Sequence, residues 1–150
     1  MSKLVKFLLV LILLLVMALA AMILVPRYVM GIDIFDLSGW SETDTGELRY
    51  LDYRGKPLTG WQTIGEDLYY LDENGAMQTG WQQIDGAWYY FNASGVMQTG
   101  WQQISGKWYY LNNHMITGWV NLGGVWYYLD PSGAMVTGTV TIDGKRHKFD

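Results

Sequence analysis

Residues 80–99 read GWQQIDGAWYYFNASGVMQT, and the next segment opens GWQQISGKWYYLN from Gly100. Aligned on the Gly-Trp pair, copies begin at Gly39, Gly60, Gly80, Gly100 and Gly118, and a worn copy begins at Gly138-Thr139. A period of about twenty residues with a fixed internal pattern marks a stacked repeat architecture. The unit itself spells a hairpin. Trp81 to Ile84 is a short β-prone run, Asp85-Gly86 is a two-residue hairpin turn, and Ala87 to Phe91 is a second, aromatic run. Asn92-Ala93-Ser94-Gly95 then makes a looser turn, and Met97 to Thr99 leads into the next copy.

With Asp85-Gly86 as the turn, Gln83 faces Trp88 and Trp81 faces Tyr90. Side chains alternate along a strand, so Trp81, Trp88 and Tyr90 share one face while Ile84, Tyr89 and Phe91 share the other. A lone hairpin is marginal in water, and stacking gives each one a neighbour to bury against. The face of Ile84, Tyr89 and Phe91 is assigned to the interior of that stack, with Ile104/Tyr109/Leu111 and Leu122/Tyr127/Leu129 as its equivalents. Tyr89, Tyr109 and Tyr127 are thus read as packing residues, as are Met77, Met97 and Met135 in the links. The face of Trp81, Trp88 and Tyr90 is left to line grooves between hairpins. End repeats of a stack need polar faces. The first copy has Leu48-Arg49-Tyr50 and the last has Arg146-His147-Lys148 where inner copies have Trp-Tyr-Tyr. The expected fold is all-β, a solenoid of stacked β-hairpins over residues 39–150, preceded by one N-terminal hydrophobic helix.

That helix is expected in residues 1–25. Lys3 and Lys6 precede an apolar run from Phe7 to Val25 that ends at Pro26-Arg27. As a helix the run would span about 28 Å, close to the ~30 Å hydrocarbon core of a bilayer. Ala18-Leu19-Ala20 offers a signal-peptidase site, but Ala21 to Val25 is still apolar where a cleaved signal turns polar. An uncleaved signal-anchor is therefore preferred to a signal peptide. Either way, lysines on the N-terminal side keep that end inside and place the repeats outside the cytoplasm. The localisation expected is the cell surface, either tethered to the membrane through this helix or secreted and wall-associated. Residues 26–38 form a connector whose middle, Ile32 to Phe35, reads as an edge strand or a plug for the first repeat.

Composition removes several classes. Aromatics make up 15% of the chain, with 8 Trp and 11 Tyr, and charged residues only 16%, which is not the profile of a disordered chain. The absence of cysteine removes disulfide scaffolds and thiolate metal sites, and a net charge of −4 gives no footprint for nucleic acid. His114 and His147, the two histidines, lack evident partners, so neither a metal site nor a catalytic histidine is expected. Glu66-Asp67 and Asp72-Glu73 fall at turns and read as solvated acids rather than a glycosidase pair. Phosphate-cradling and dinucleotide glycine motifs are missing, so no cofactor is expected. Repeats and leader account for the whole of the given length, and a non-catalytic protein is the expectation.

The tandem pattern of Gly-Trp, then Trp-Tyr-Tyr-Leu/Phe, then Gly-x-Met-x-Thr-Gly-Trp over residues 39–150 resembles the choline-binding, or cell-wall-binding, repeat of Gram-positive surface proteins and phage lysins. The resemblance implies a superhelix of hairpins whose grooves hold choline groups of teichoic or lipoteichoic acid. It also implies that a site takes the Gly-Trp tryptophan and the Trp-Tyr-Tyr tryptophan of one repeat with the second tyrosine of the next. Carried over, this gives Trp81, Trp88 and Tyr110 as one site and Trp101, Trp108 and Tyr128 as another. A third, Trp61 with Tyr90, has Leu68 where the second tryptophan belongs. Trp119 and Trp126 would find Lys148 at the tyrosine position, and a cation there repels a cationic ligand. The link Asn112 to Met115 is two residues shorter than its equivalents, which would alter the Trp101/Trp108/Tyr128 site.

The chemistry of such a ligand suits these residues. A quaternary ammonium has no donors and is held by aromatic faces, each worth about 0.5–2 kcal/mol. Three faces net about 3–4 kcal/mol, a millimolar site, and linkage along a polymer raises avidity by about 10²–10⁴. Residues 60–137 carry six acidic side chains against Lys107 alone, a net of −5 that favours cations. Two other functions use the same repeats. A glucan-binding module would stack sugar rings in the grooves and ignore ligand charge, and a structural spacer would bind nothing.

Overall fold

The computed structural model describes residues 36–149, and among them every regular element is a β-strand. The expected helix over residues 1–25 and the apolar middle of the connector lie outside these residues. Among the described residues no helix is long and apolar enough to cross a membrane.

Six antiparallel hairpins follow one another: β1 (Gly39–Glu42) with β2 (Leu48–Leu51), β3 (Gly60–Ile64) with β4 (Asp67–Leu71), β5 (Gly80–Ile84) with β6 (Ala87–Phe91), β7 (Gly100–Ile104) with β8 (Lys107–Asn112), β10 (Gly118–Leu122) with β11 (Val125–Leu129), and β12 (Gly138–Ile142) with β13 (Lys145–Phe149). A two-residue strand β9 (His114–Met115) adds to β8. The register matches the sequence reading, with Trp81 opposite Tyr90 and Gln83 opposite Trp88. Asp85 and Gly86 both take positive φ, at 51° and 82°, the twist a two-residue turn of this kind requires.

The glycine of each Gly-Trp pair also has its reason. Gly80 sits at φ 69° with open space around the place of a missing Cβ, so backbone handedness rather than crowding reserves the position for glycine.

The described residues divide into two compact units, residues 36–39 with 51–56 and residues 40–50 with 57–149. In the smaller, the Leu37 N–H donates to the Tyr53 carbonyl, Asp52 Oδ1 accepts from the backbone of Arg54 and Lys56, and the Arg54 guanidinium lies 4.9 Å from the Tyr53 ring centre. In the larger, Leu71, Phe91, Leu111 and Leu129 are the fully buried side chains. Leu71, Phe91 and Leu129 close the second strands of their hairpins and Leu111 stands one residue before the end of β8, all on the face assigned to the interior, where Ile84 and Ile142 are buried too.

The links between hairpins hold the larger unit together. Asn92 Oδ1 accepts from the backbone N–H groups of Ser94 and Val96, and Asp72 and Asp130 do the same in their links. The chain then turns back along its own hairpin, where Met97 bridges to Phe91 and Gln98 N–H donates to Tyr90. Met97 N–H donates to the carbonyl of Leu68, one hairpin earlier, at 2.8 Å. Met77 to Leu48 and Met135 to Trp108 repeat the bond. Each of these links therefore fastens its own hairpin to the previous one. Sequence reading gave these methionines a packing part but did not anticipate their backbone bond to the previous hairpin.

Candidate functional site

Successive hairpins meet with unlike faces. The tryptophan face of one hairpin lies against the Tyr/Phe or Tyr/Leu face of the next, so Trp61 stands 4.8 Å from Tyr89 and 5.8 Å from the buried Phe91. The relation recurs along the larger unit: Trp40 with Tyr69 at 5.0 Å, Trp81 with Tyr109 at 5.0 Å, and Trp101 with Tyr127 at 4.9 Å. The four Trp–Tyr contacts are edge-on, a favoured arrangement for aromatic pairs. Each Gly-Trp tryptophan is held from both sides, since its own hairpin supplies the cross-strand tyrosine, as Tyr110 does for Trp101 at 5.3 Å.

Two clefts result. One, of about 350 Å³, is lined by Trp81, Trp88, Tyr109, Met115, Pro131 and Ser132. The other, of about 280 Å³, is lined by Trp101, Trp108, Tyr127 and Met135. No ionisable acid or base lines either one, apart from the tyrosine phenols. Trp88 and Trp108 keep 40% and 41% of their surface exposed, so the second tryptophan of each pair is a wall open to solvent. Met135 arrives through the link described above, because its backbone bond to Trp108 brings its side chain to the cleft, whereas Met115 comes from β9, which pairs with β8.

The tryptophans expected from sequence therefore come together as expected in pairs, Trp81 with Trp88 and Trp101 with Trp108. The third wall differs. Tyr110 lies opposite Trp101 and Tyr128 opposite Trp119 within their own hairpins, so each turns toward the following cleft. Tyr109 and Tyr127 take the wall positions instead, because strand alternation puts them on the face that meets the preceding tryptophans. Tyr90 likewise packs on Trp81, at 5.1 Å, and Tyr89 is the residue that meets Trp61. The packing read for Tyr109 and Tyr127 is seen in their contacts with Trp81 and Trp101, and the same geometry also puts them, with Met135, on the cleft linings. Met77 keeps its packing part: a Cβ on Gly95 would collide with the Met77 side chain. Met115 has both parts, since Gly133 lies against it in the same way. The signal for the tyrosines was present in the alternation, but it needed the insight that both faces of each hairpin are used in stacking.

The shortened link does not spoil its neighbours. Asn113 at φ 63° makes a tight turn, β9 pairs Met115 with Leu111, and β9 lies against β6. Met115 thus reaches the Trp81/Trp88 cleft, and the Trp101–Tyr127 distance is the common one.

The remaining clefts are variants. Between the first and second hairpins and between the second and third, Leu48 and Leu68 stand where Trp88 and Trp108 stand. Tyr69 in the first of these has its phenol pushed above its ordinary value by burial and, secondarily, by the neighbouring Asp67 carboxylate. In the last cleft, between the fifth and sixth hairpins, His147 and not Lys148 faces Trp119, at 4.9 Å. Lys148 pairs across the strand with Thr139, on the opposite face from His147. His114, the other histidine, has its ring 6.4 Å from Tyr89.

Comparisons with known proteins agree with the repeated-hairpin fold. The choline-binding repeat family matches residues 58–82, 78–114 and 116–150. Choline binding protein F from Streptococcus pneumoniae is similar over 74% of this chain and 39% of its own, with 41% identity and a TM-score of 0.71. CbpJ from Streptococcus pneumoniae TIGR4 is similar over 74% of this chain and 42% of its own, with 41% identity and a TM-score of 0.68. A pneumococcal cell wall endolysin from phage Cp-1, solved in complex with choline, is similar over 73% of this chain and 34% of its own, with 28% identity and a TM-score of 0.55. The matched region is thus about two fifths of the first two structures. No curated protein sequence gives a significant match.

Proposed function

The chain belongs to the choline-binding repeat family, and from that premise we propose that it is a non-catalytic cell-surface protein that attaches to choline groups of teichoic or lipoteichoic acid. The two complete clefts are the sites, with Trp81, Trp88, Tyr109 and Met115 in one and Trp101, Trp108, Tyr127 and Met135 in the other. One observation carries this reading: each cleft gathers three aromatic rings and a thioether without a single cationic side chain. Such a surface offers a trimethylammonium group electron-rich ring faces and asks for no hydrogen bond. Each site alone is weak, and occupation of both by one polymer supplies the hold. Residues 1–25 serve as the membrane anchor and keep the repeats outside the cytoplasm.

The test is a titration of the full chain, held in a polyoxyethylene detergent, with choline and separately with dextran oligomers. Choline is expected to quench or shift tryptophan fluorescence with a millimolar midpoint, and dextran to leave it unchanged. A response to dextran alone would favour the glucan reading, and a response to neither would leave a spacer.

A further inference from the structure

The last cleft repeats the geometry of its neighbour with one atom-level difference. Trp101 stands 6.4 Å from Trp108 and 4.9 Å from Tyr127, at interplanar angles of 86° and 66°. Trp119 stands 6.4 Å from Trp126 and 4.9 Å from His147, at 81° and 65°. The ring arrangement recurs with an imidazole in place of the phenol; Trp119 and His147 line one cavity with Asp143 and Lys145, and Trp126 lines another with Lys148. Trp126 is 60% exposed, so this cup is open to solvent.

Resting on the reading above, we propose that the Trp119/Trp126/His147 cleft is a third quaternary-ammonium site, open when His147 is neutral and closed when it is protonated. A neutral imidazole offers an aromatic surface much as a phenol does. An imidazolium places a positive charge beside the ligand's own, and at about 5 Å in a partly solvated cleft this weakens binding by about tenfold or more. It also supplies Trp119 with a cation from the protein, in competition with the ligand for the ring. Imidazole is the side chain whose ordinary titration falls between pH 5 and 8.

The surrounding charges leave that control with the imidazole. β10 brings no ionisable group and β11 only the phenols of Tyr127 and Tyr128. β12 brings none, and its turn to β13 brings Asp143, which lines the Trp119 cavity together with Lys145 and His147. Lys148 lines the cavity on the Trp126 side, and Arg146 pairs with Thr141 on the opposite face. The link 130–137 carries Asp130 alone, turned to Ser132 and Ala134. With Lys145 and Lys148 on its lining, this cleft is expected to bind more weakly than the two that no cationic side chain lines, and an imidazolium at His147 would add a further positive charge.

Site-resolved nuclear magnetic resonance tests this. The eight tryptophan indole N–H signals of the full chain are followed during choline titration at about pH 8 and about pH 5.5, on either side of the ordinary imidazole value. Trp81, Trp88, Trp101 and Trp108 are expected to respond alike at both, while Trp119 and Trp126 respond at the higher pH and at least about tenfold more weakly at the lower. His147→Tyr is expected to make Trp119 and Trp126 respond at both, and His114→Gln to change nothing at that cleft. Equal responses of Trp119 and Trp126 at the two pH values, or no response at either while the other four respond, would overturn this inference alone. Silence from all six would overturn the choline reading itself.

Discussion

The backbone N–H of Met135 donates to the carbonyl of Trp108 at 2.7 Å, joining the link after the fifth hairpin to the strand that carries a wall of the fourth hairpin's cleft. Cleft and stack are therefore one construction. The bond that fastens two hairpins also delivers the thioether beside Trp101 and Tyr127, so changes to binding residues and changes to packing residues have separable signatures only when the face of each side chain is respected.

Adjacent tyrosines should differ. Tyr109→Ala removes a wall of the Trp81/Trp88 cleft and is expected to weaken choline there about five- to tenfold, the value of one cation–π face. Tyr109→Phe should bind nearly as the wild type, because the face and not the hydroxyl is used. Tyr110→Ala should leave that cleft's affinity unchanged and disturb Trp101 instead. Calorimetric titration resolved by tryptophan signals checks all three.

A missing wall can be supplied. Leu68 occupies the second tryptophan's position beside Trp61, Tyr89 and Met97, and Leu68→Trp is expected to raise the number of choline sites by one. Counting stoichiometry by equilibrium dialysis decides it, and an unchanged count would show that Leu68 is not what keeps that cleft from binding.

Gly95→Ala should destabilise the larger unit by about 2 kcal/mol, from a positive φ and an overpacked contact together. The φ is 78°, and the added methyl would collide with Met77. Met77→Ala in the same chain is expected to return only the steric share. Urea denaturation measures both.

Asp130 gives a pH dependence of known sign. The Ser132 hydroxyl, followed by the backbone N–H groups of Ser132 and Ala134 and by Lys107, holds its carboxyl below the ordinary 3.8. Its folded value is lowered, so its contribution is whole above 3.8 and is lost as pH falls through the lowered value. Asp130→Asn keeps an acceptor for the backbone, as Asn92 does in its own link. The variant is expected to lose less than about 1 kcal/mol at neutral pH, given the exposure of the site, and the difference from wild type should vanish in acid. Thermal melts across that range provide the check.

The hairpins were legible because their determinants are local. Asp85-Gly86 fixes the turn, the turn fixes the register, and the register fixes which side chains share a face. The paired tryptophans followed from that register, and so did the burial of Phe91, Leu111 and Leu129. Tyr109 and Met115 were not legible, because their places depend on which face of one hairpin meets which face of another. That choice is made by packing across about twenty residues or more, and the twofold alternation within a strand is silent about it. His147 was hidden for the same reason, since its neighbour Trp119 is 28 positions away in the sequence.

Because every cup borrows its far side from the hairpin that follows, receptors outnumber neither repeats nor their junctions: among the described residues six hairpins make five junctions. Copying one repeat within the gene would add one receptor without redesigning any existing one, and deleting one would subtract one. Valence in such a chain is an adjustable integer, tuned by recombination at the DNA level more readily than affinity is tuned by point substitution.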